Sequence, residues 1–328
     1  MSQLLRYVPR PRMAVAAAVV FGALAAGAVS GYVLLSPNRT WNCCPDYTVD
    51  NRAGGVPSIL DADGGGTRVV NAITSSAAWN GSGSGRVIKA HKGSITGFAL
   101  GDGKPMLNFT DPIAACTGSC LGATFTAYYS ERSAGSGSWK IDDADIVTNA
   151  GGYNWTSQGE DPGGVGCSSE IYIEGVMVHE AGHAIGLAHT GVAGATMLPS
   201  VSYCNNSPAT TEVDDENGVV ALYGAAPCTN CDTHTNYIGA SGVTQYQPCG
   251  TYYFGDTGSQ NGYLRGPVGS DFDLYLWFWN GTAWQQVASS TTTSNNETIN
   301  YVGTAGFYLW GVHGYSGTGT YHFYTSHP

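Results

Sequence analysis

Residues 179–189 read His-Glu-Ala-Gly-His-Ala-Ile-Gly-Leu-Ala-His, the pattern H-E-x-x-H-x-x-G-x-x-H. On a helix, His179 and His183 stand one turn apart on one face, so both imidazoles can reach a single ion. Glu180 projects beside them. Gly186 accepts backbone angles that other residues resist, so the helix can stop and the chain swing back. That return delivers His189 as a third nitrogen ligand. Three neutral nitrogens leave the fourth position of a tetrahedral Zn²⁺ open to water. A lone H-E-x-x-H arises by chance, and the added glycine and third histidine make the pattern far more specific. A closed structural zinc would need a fourth protein ligand, for which Cys204 is the nearest candidate. Nitrogen-rich tetrahedral donor sets favour zinc over iron.

A helix carrying such a motif must be held in a core, and the chain has the material for one. The length of 328 residues suggests about two domains, and the 42% hydrophobic residues are enough to give them cores. Charged residues are only 11%, with 47 glycines and 20 tyrosines, a balance that suits turn-rich β structure better than helical bundles. The net charge of −11 argues against a nucleic-acid binder, which needs a basic surface to meet phosphates. It also argues against electrostatic attraction to anionic lipid.

Arg6, Arg10 and Arg12 precede an uncharged apolar run of 16 residues, Met13 to Ala28, and small residues follow it. This is the pattern of a signal peptide cleaved after Ala28 or Ser30. The run is shorter than the roughly 20 apolar residues that span a bilayer, so no stable membrane insertion is expected after cleavage. The nine cysteines agree with export, where disulfides form. Cys116 and Cys120 can close a tight loop, Cys167 and Cys204 can staple the motif, and Cys249 can pair with Cys228 or Cys231. The odd count leaves one thiol over.

Short apolar runs between Gly, Asn, Asp and Ser clusters mark strands at Ser94–Leu100, Met106–Phe109, Ala123–Tyr129 and Asp145–Thr148. Helical spacing predicts helices over Thr67–Trp79, over 168–188 with Ser168 or Ser169 as cap, and over Glu212–Tyr223. Residues 225–233 read as a linker. Beyond it, runs at Asp271–Asn280, Trp284–Ala288, Glu297–Val302, Gly306–Val312 and Gly319–Tyr324 have the spacing of a small β-sandwich.

The extended histidine motif resembles that of the metzincin metallopeptidases, in which a Met-turn follows. Ala195-Thr196-Met197 falls eight residues after His189, the spacing of the matrixin branch. The resemblance makes Met197 the apolar floor beneath the zinc. Asp214-Asp215, Gly218 and Leu222-Tyr223-Gly224 resemble the family's closing helix, with both aspartates structural. Gly101-Asp102-Gly103, Leu107-Asn108-Phe109 and Ala144-Asp145-Ile146-Val147 with Asn149 resemble its sheet, and the last is read as the cleft-edge strand. The family's second, His-x-Asp zinc site is not evident, nor is a calcium loop, so Ca²⁺ is possible without a visible site. Tyr203 lies farther from Pro199 than matrixins usually place this tyrosine, and it is a possible substrate or oxyanion contact. No long propeptide fits between Ser30 and Trp41, and Cys43 or Cys44 offers either a short latency ligand or, more simply, a disulfide. Residues from about 232 onward resemble the bacterial pre-peptidase C-terminal domain, through Gly262-Tyr263-Leu264-Arg265-Gly266-Pro267 and Asp271–Leu276. Trp277, Trp279, Trp284 and Trp310 are candidates for a binding face or, more simply, for sandwich core and turn packing.

The resulting expectation is an α+β chain. It has a signal peptide (1–30), a matrixin-like metallopeptidase domain of twisted mixed sheet plus active-site helix (31–224), a linker (225–233) and an all-β sandwich (234–328). Its function would be that of a secreted zinc-dependent endopeptidase using a zinc-activated water. His179, His183 and His189 hold one catalytic Zn²⁺, and Glu180 is the general base. Its partners would be a protein or peptide substrate and, through the C-terminal domain, an extracellular polymer. The alternative is a non-enzymatic secreted adhesion protein using the same β-domain. A binder has no need of the general base Glu180.

Overall fold

In a computed structural model of the chain, residues 31–43, 45–50, 66–129, 139–149, 151–158 and 166–328 are described. The targeting segment 1–30 and Cys44 lie outside them. No helix among the described residues is long and apolar enough to cross a membrane.

A mixed sheet organises the first half. Its strands are β1 (Arg39–Trp41), β2 (Asp46–Asp50), β3 (Lys89–Gly93), β4 (Met106–Asn108), β5 (Gly122–Tyr129) and β6 (Trp139–Thr148). The order is β1-β6-β4-β2-β3, with β5 also on β6. All pairs are parallel except β5 with β6. Because β5 pairs along residues 140–148, β1 and β4 share the opposite side of β6. The strand expected at the cleft edge, Asp145–Asn149, is therefore interior, and β5 is the edge. Two adjacent apolar runs carry no local signal of which is outermost.

Three helices pack on this sheet: α1 (Gly66–Ile73), α2 (Ile173–Ala184) and α3 (Val213–Tyr223). α1 is shorter than expected, and the chain forms a separate single turn at Trp79–Gly81. α2 starts later than expected. Ile171-Tyr172 pair with Trp155-Thr156 as strand, while the Ser168 and Ser169 amides donate to Glu170 Oε2 instead of the serines capping the helix. α3 matches its predicted span, with Glu212 and Asp215 forming a capping box. Ser94–Leu100, expected as a strand, is irregular, and the strand lies just before it at β3. Trp79, Trp155, Val178, Ile146 and Tyr223 belong to the continuous core between helices and sheet.

The rest of the chain is two antiparallel sheets. The strands are β7 (Asp232–Ile238), β8 (Thr244–Gln247), β9 (Tyr253–Gly255), β10 (Gly258–Arg265), β11 (Asp271–Trp279), β12 (Trp284–Ser290), β13 (Asn296–Gly303), β14 (Gly306–Ser316) and β15 (Gly319–Ser326). One sheet has the order β7-β15-β10-β13, and the other β8-β14-β11-β12 with β9 on β14. Alternation sends Phe272, Leu274 and Leu276 of β11 and Tyr308, Trp310 and Val312 of β14 into one core. Trp310 is thus fully buried, so it belongs to the sandwich core and not to a binding face. Trp277, Trp279 and Trp284 stay partly exposed: Trp277 stacks on Tyr275 and meets Tyr246 edge-on, while Trp284 contacts both Trp279 and Tyr252.

The stretch read as a linker is anchored. β7 opens at Asp232, inside it. Ala226 N donates to Gly83 O at 2.8 Å, and Asp232 meets Lys89 Nζ at 2.7 Å and Arg86 Nε at 3.2 Å. Four disulfides lie among the described residues. Cys116–Cys120 and Cys167–Cys204 are as expected. Cys249 instead pairs with Cys43, which joins the two halves, and Cys228 pairs with Cys231. Cys43 is therefore not a latency ligand, and Cys204 is not a fourth metal ligand.

Candidate metal centre

Every residue of α2 is buried, which requires small residues wherever neighbours press on it. Gly182, between the two helix histidines, is where a Cβ would collide with Met197 Sδ and the Trp79 ring. Trp79 Nε1 also donates to Val178 O at 2.8 Å. Met197 thus packs against the helix segment that carries the histidines.

The three histidines come together. His179 Nε2 and His183 Nε2 each lie 3.2 Å from His189 Nε2. Thr196 O accepts from His179 Nδ1 at 2.6 Å, and Leu187 O accepts from His183 Nδ1 at 2.8 Å. Those carbonyls assign the proton to Nδ1, so Nε2 of both rings is an acceptor aimed at the common centre. Burial and the neighbouring rings push His179 well below the ordinary histidine range. Burial is the main cause for His183, lowered to about 3, and for His189, lowered to about 4. Neutral nitrogens converging at this distance repel unless a cation lies among them. Protonation is disfavoured, so the donor set fits a nitrogen-preferring divalent metal. Among the described residues, the other candidate ligand group is Cys167, Glu170 and Cys204, whose sulfurs form a disulfide.

The Met-turn is fixed from α3. Asp215 Oδ2 accepts from Thr196 N at 2.7 Å and from Glu212 N at 3.0 Å, and Oδ1 accepts from Met197 N at 3.1 Å. One carboxylate therefore sets the peptide whose carbonyl orients His179. Asp214 takes no part in that network, and it lines a small cavity with Tyr32, Val33 and Leu187.

Glu180 is fully buried. The Thr124 hydroxyl, on the edge strand β5, donates to Glu180 Oε2 at 2.6 Å, while Oε1 has no hydrogen-bond partner among the described residues. Gly122, two residues earlier on the same strand, leaves room for that carboxylate, since a Cβ there would crowd Glu180 Oε1 and Cγ. Burial raises the Glu180 carboxyl to about 8, and the Thr124 bond pulls it back down. Sequence reasoning missed Thr124 and Gly122. Their signal is the small and polar face Gly122-Thr124-Thr126, which alternates with the buried Ala123 and Phe125. Tyr203 is 55% exposed and lines a polar cavity of about 360 Å³ with Tyr153, Asn154 and Ser169.

Residues 120–224 match the family model of the matrixins. Metalloendoproteinase 2-MMP of Arabidopsis thaliana is 34% identical over 80 residues, 24% of this chain and 21% of that protein. Neutrophil collagenase of Homo sapiens is 31% identical over 102 residues, 31% of this chain and 20% of that protein. The chain thus spans about a fifth of the length of these curated relatives. Among solved structures, the pre-peptidase C-terminal domain of a Bacillus anthracis collagenase is 18% identical, covering 29% of this chain and 87% of that one, with a TM-score of 0.25.

Proposed function

Residues 120–224 are matrixin-like, within the metzincin metallopeptidases, and from that premise we propose that this chain is a secreted zinc-dependent endopeptidase. The observation that carries the reading is the convergence of His179, His183 and His189 beside a buried Glu180 with one unpartnered oxygen. These three histidines would hold one Zn²⁺. The metal, when bound, supplies a Lewis acid that acidifies water and polarises a peptide carbonyl.

The chain's own residues do the rest. Glu180 Oε1 takes the proton of the attacking water and passes it to the leaving amine. Thr124 holds the other carboxylate oxygen, so the accepting oxygen keeps one orientation. β5 is the edge strand nearest this carboxylate, and an extended substrate pairs along its open side as an added strand. Met197 and Asp215 keep the histidines in register. Tyr203 and its polar cavity offer a side-chain contact on the substrate.

We further propose that residues 31–224 and 234–328 act as catalytic and accessory units. The partly exposed aromatic side chains of the second are the surface for an extracellular polymer. The test is metal content and cleavage of a denatured protein by the wild type and Glu180→Ala. One zinc per chain in both, with cleavage lost in the variant, is expected. Equal cleavage by both would overturn the assignment of Glu180. No zinc would overturn the metal centre and favour the adhesion reading.

A further inference from the structure

The C-terminal sheets meet α3 at Tyr223, whose side chain reaches the end of α2 where the third histidine is delivered. A helix leaves its last carbonyls without intrahelical partners. Here Ala184 O accepts from Trp41 Nε1 at 2.8 Å, and Ile185 O accepts from the Tyr223 hydroxyl at 2.8 Å. Trp41 N in turn donates to that hydroxyl at 3.3 Å, so the two caps brace each other. Immediately afterwards the chain turns at Gly186, φ +113°, where a Cβ would strike Arg39 O. The next residue, Leu187, supplies the carbonyl that orients His183, and His189 follows two residues later.

Each cap is tied to the C-terminal sheets. Tyr324, fully buried on β15, donates its hydroxyl proton to Tyr223 O at 3.0 Å. Gly224, φ +73°, permits that approach, because a Cβ there would meet the Tyr324 hydroxyl and the His322 ring. Trp41 stands two residues from Cys43, which is bonded to Cys249. Two routes, one covalent and one hydrogen-bonded, thus reach the backbone at or next to the two residues that cap the metal helix.

We propose that the C-terminal β-sheets hold the metal centre in shape, with Tyr324 acting through Tyr223, and Cys249 through Cys43 and Trp41, to fix the turn that presents His183 and His189. Tyr223 and Tyr324 are positioning residues. The proposal rests on the metal-centre reading above. It also implies that a peptide-bond cut within 225–231 leaves the C-terminal part attached, because Cys43–Cys249 bridges the cut.

The experiment uses the full mature protein loaded with Zn²⁺ and follows metal loss to an excess of a chromophoric chelator. Groups that orient metal ligands change affinity about 10–100-fold, and these tyrosines act one and two contacts farther out. Tyr223→Phe should therefore speed zinc loss about tenfold and Tyr324→Phe about threefold. Tyr315→Phe, which removes an exposed hydroxyl from the same sheets, should leave the rate unchanged. The Co²⁺ absorption spectrum should shift in the first two variants and not in the third, a change that loss of general stability does not produce. Should Tyr223→Phe fail to fold, Tyr324→Phe and Cys249→Ser carry the test alone. Folded variants that lose zinc at the wild-type rate with an unchanged Co²⁺ spectrum would overturn the proposal while leaving the metal centre standing. A wild type that binds no zinc would overturn both.

Discussion

Glu180 in α2 and Glu297 in β13 are both removed from solvent, yet they are held in opposite ways. Glu297 is satisfied on both oxygens. Oε2 accepts from the Ser290 hydroxyl, and Oε1 accepts from the Thr292 hydroxyl and from Thr292 N at 3.1 Å. Glu180 is satisfied on one, by Thr124, and its Oε1 has no partner among the described residues. A buried carboxylate costs several kcal/mol to desolvate unless hydrogen bonds replace the lost water. At Glu297 they do so, and the residue pins the end of β12 to β13. At Glu180 half of that compensation is withheld. Asp143 and Asp145 also bury an oxygen without a partner among the described residues, so what sets Glu180 apart is its place next to the converging histidines, and on the proposed reading that oxygen takes the reactant's proton.

The comparison breaks first if Glu180→Ala behaves like an ordinary core change. General-base removal should lower kcat by about a thousandfold or more while one zinc per chain remains, measured by turnover and metal analysis. Glu297→Ala should do the reverse. It leaves turnover near the wild-type value and lowers unfolding free energy by about 2 kcal/mol, seen in chemical denaturation, because three donors lose their acceptor. Thr124→Val sharpens the difference between the two oxygens. It should reduce kcat about tenfold at unchanged KM, and Thr124→Ser should restore most of it.

The smallest effect concerns another buried acid of the first half. Asp145 is raised to about 8, first by burial and then by the charge of Asp143, with Asp102 adding and the Met106 amide opposing. The unfolded chain titrates near the ordinary 3.8, so between about 4 and 8 the folded chain binds more protons. Stability therefore falls as pH rises through that window. Asp145→Asn should flatten the fall between pH 5 and pH 8 in denaturation midpoints.

The histidine motif and the β-strands beyond residue 270 were legible because each is written in local periodicity, 3.6 in one case and 2 in the other. The same periodicity held the answer for Trp310, which shares its parity with Tyr308 and Val312 and so belongs inside with them. Other features have no local signature. Cys43 finds Cys249 across 206 residues. Whether β5 or β6 is the edge depends on which strands flank them, and that is decided by pairings from residues 39–41 and 106–108. The early start expected for α2 failed because Ile171-Tyr172 have a strand partner in Trp155-Thr156. Thr124 became visible as a candidate only once β5 was seen to run past Glu180.

The Cys43–Cys249 bond also changes what the unfolded chain can be. It closes a ring of 206 residues that contains α2, the Met-turn and α3. Chain-entropy reasoning assigns such a ring on the order of 5 kcal/mol, by removing expanded conformations from the unfolded ensemble. When heat or denaturant melts this protein with its disulfides intact, the product is a closed circuit from which the strands after Cys249 hang as an open tail. The ring matters for partners distant in sequence: Thr124 and Glu180, or Trp41 and Ala184, search for each other in a bounded volume and not along an open thread.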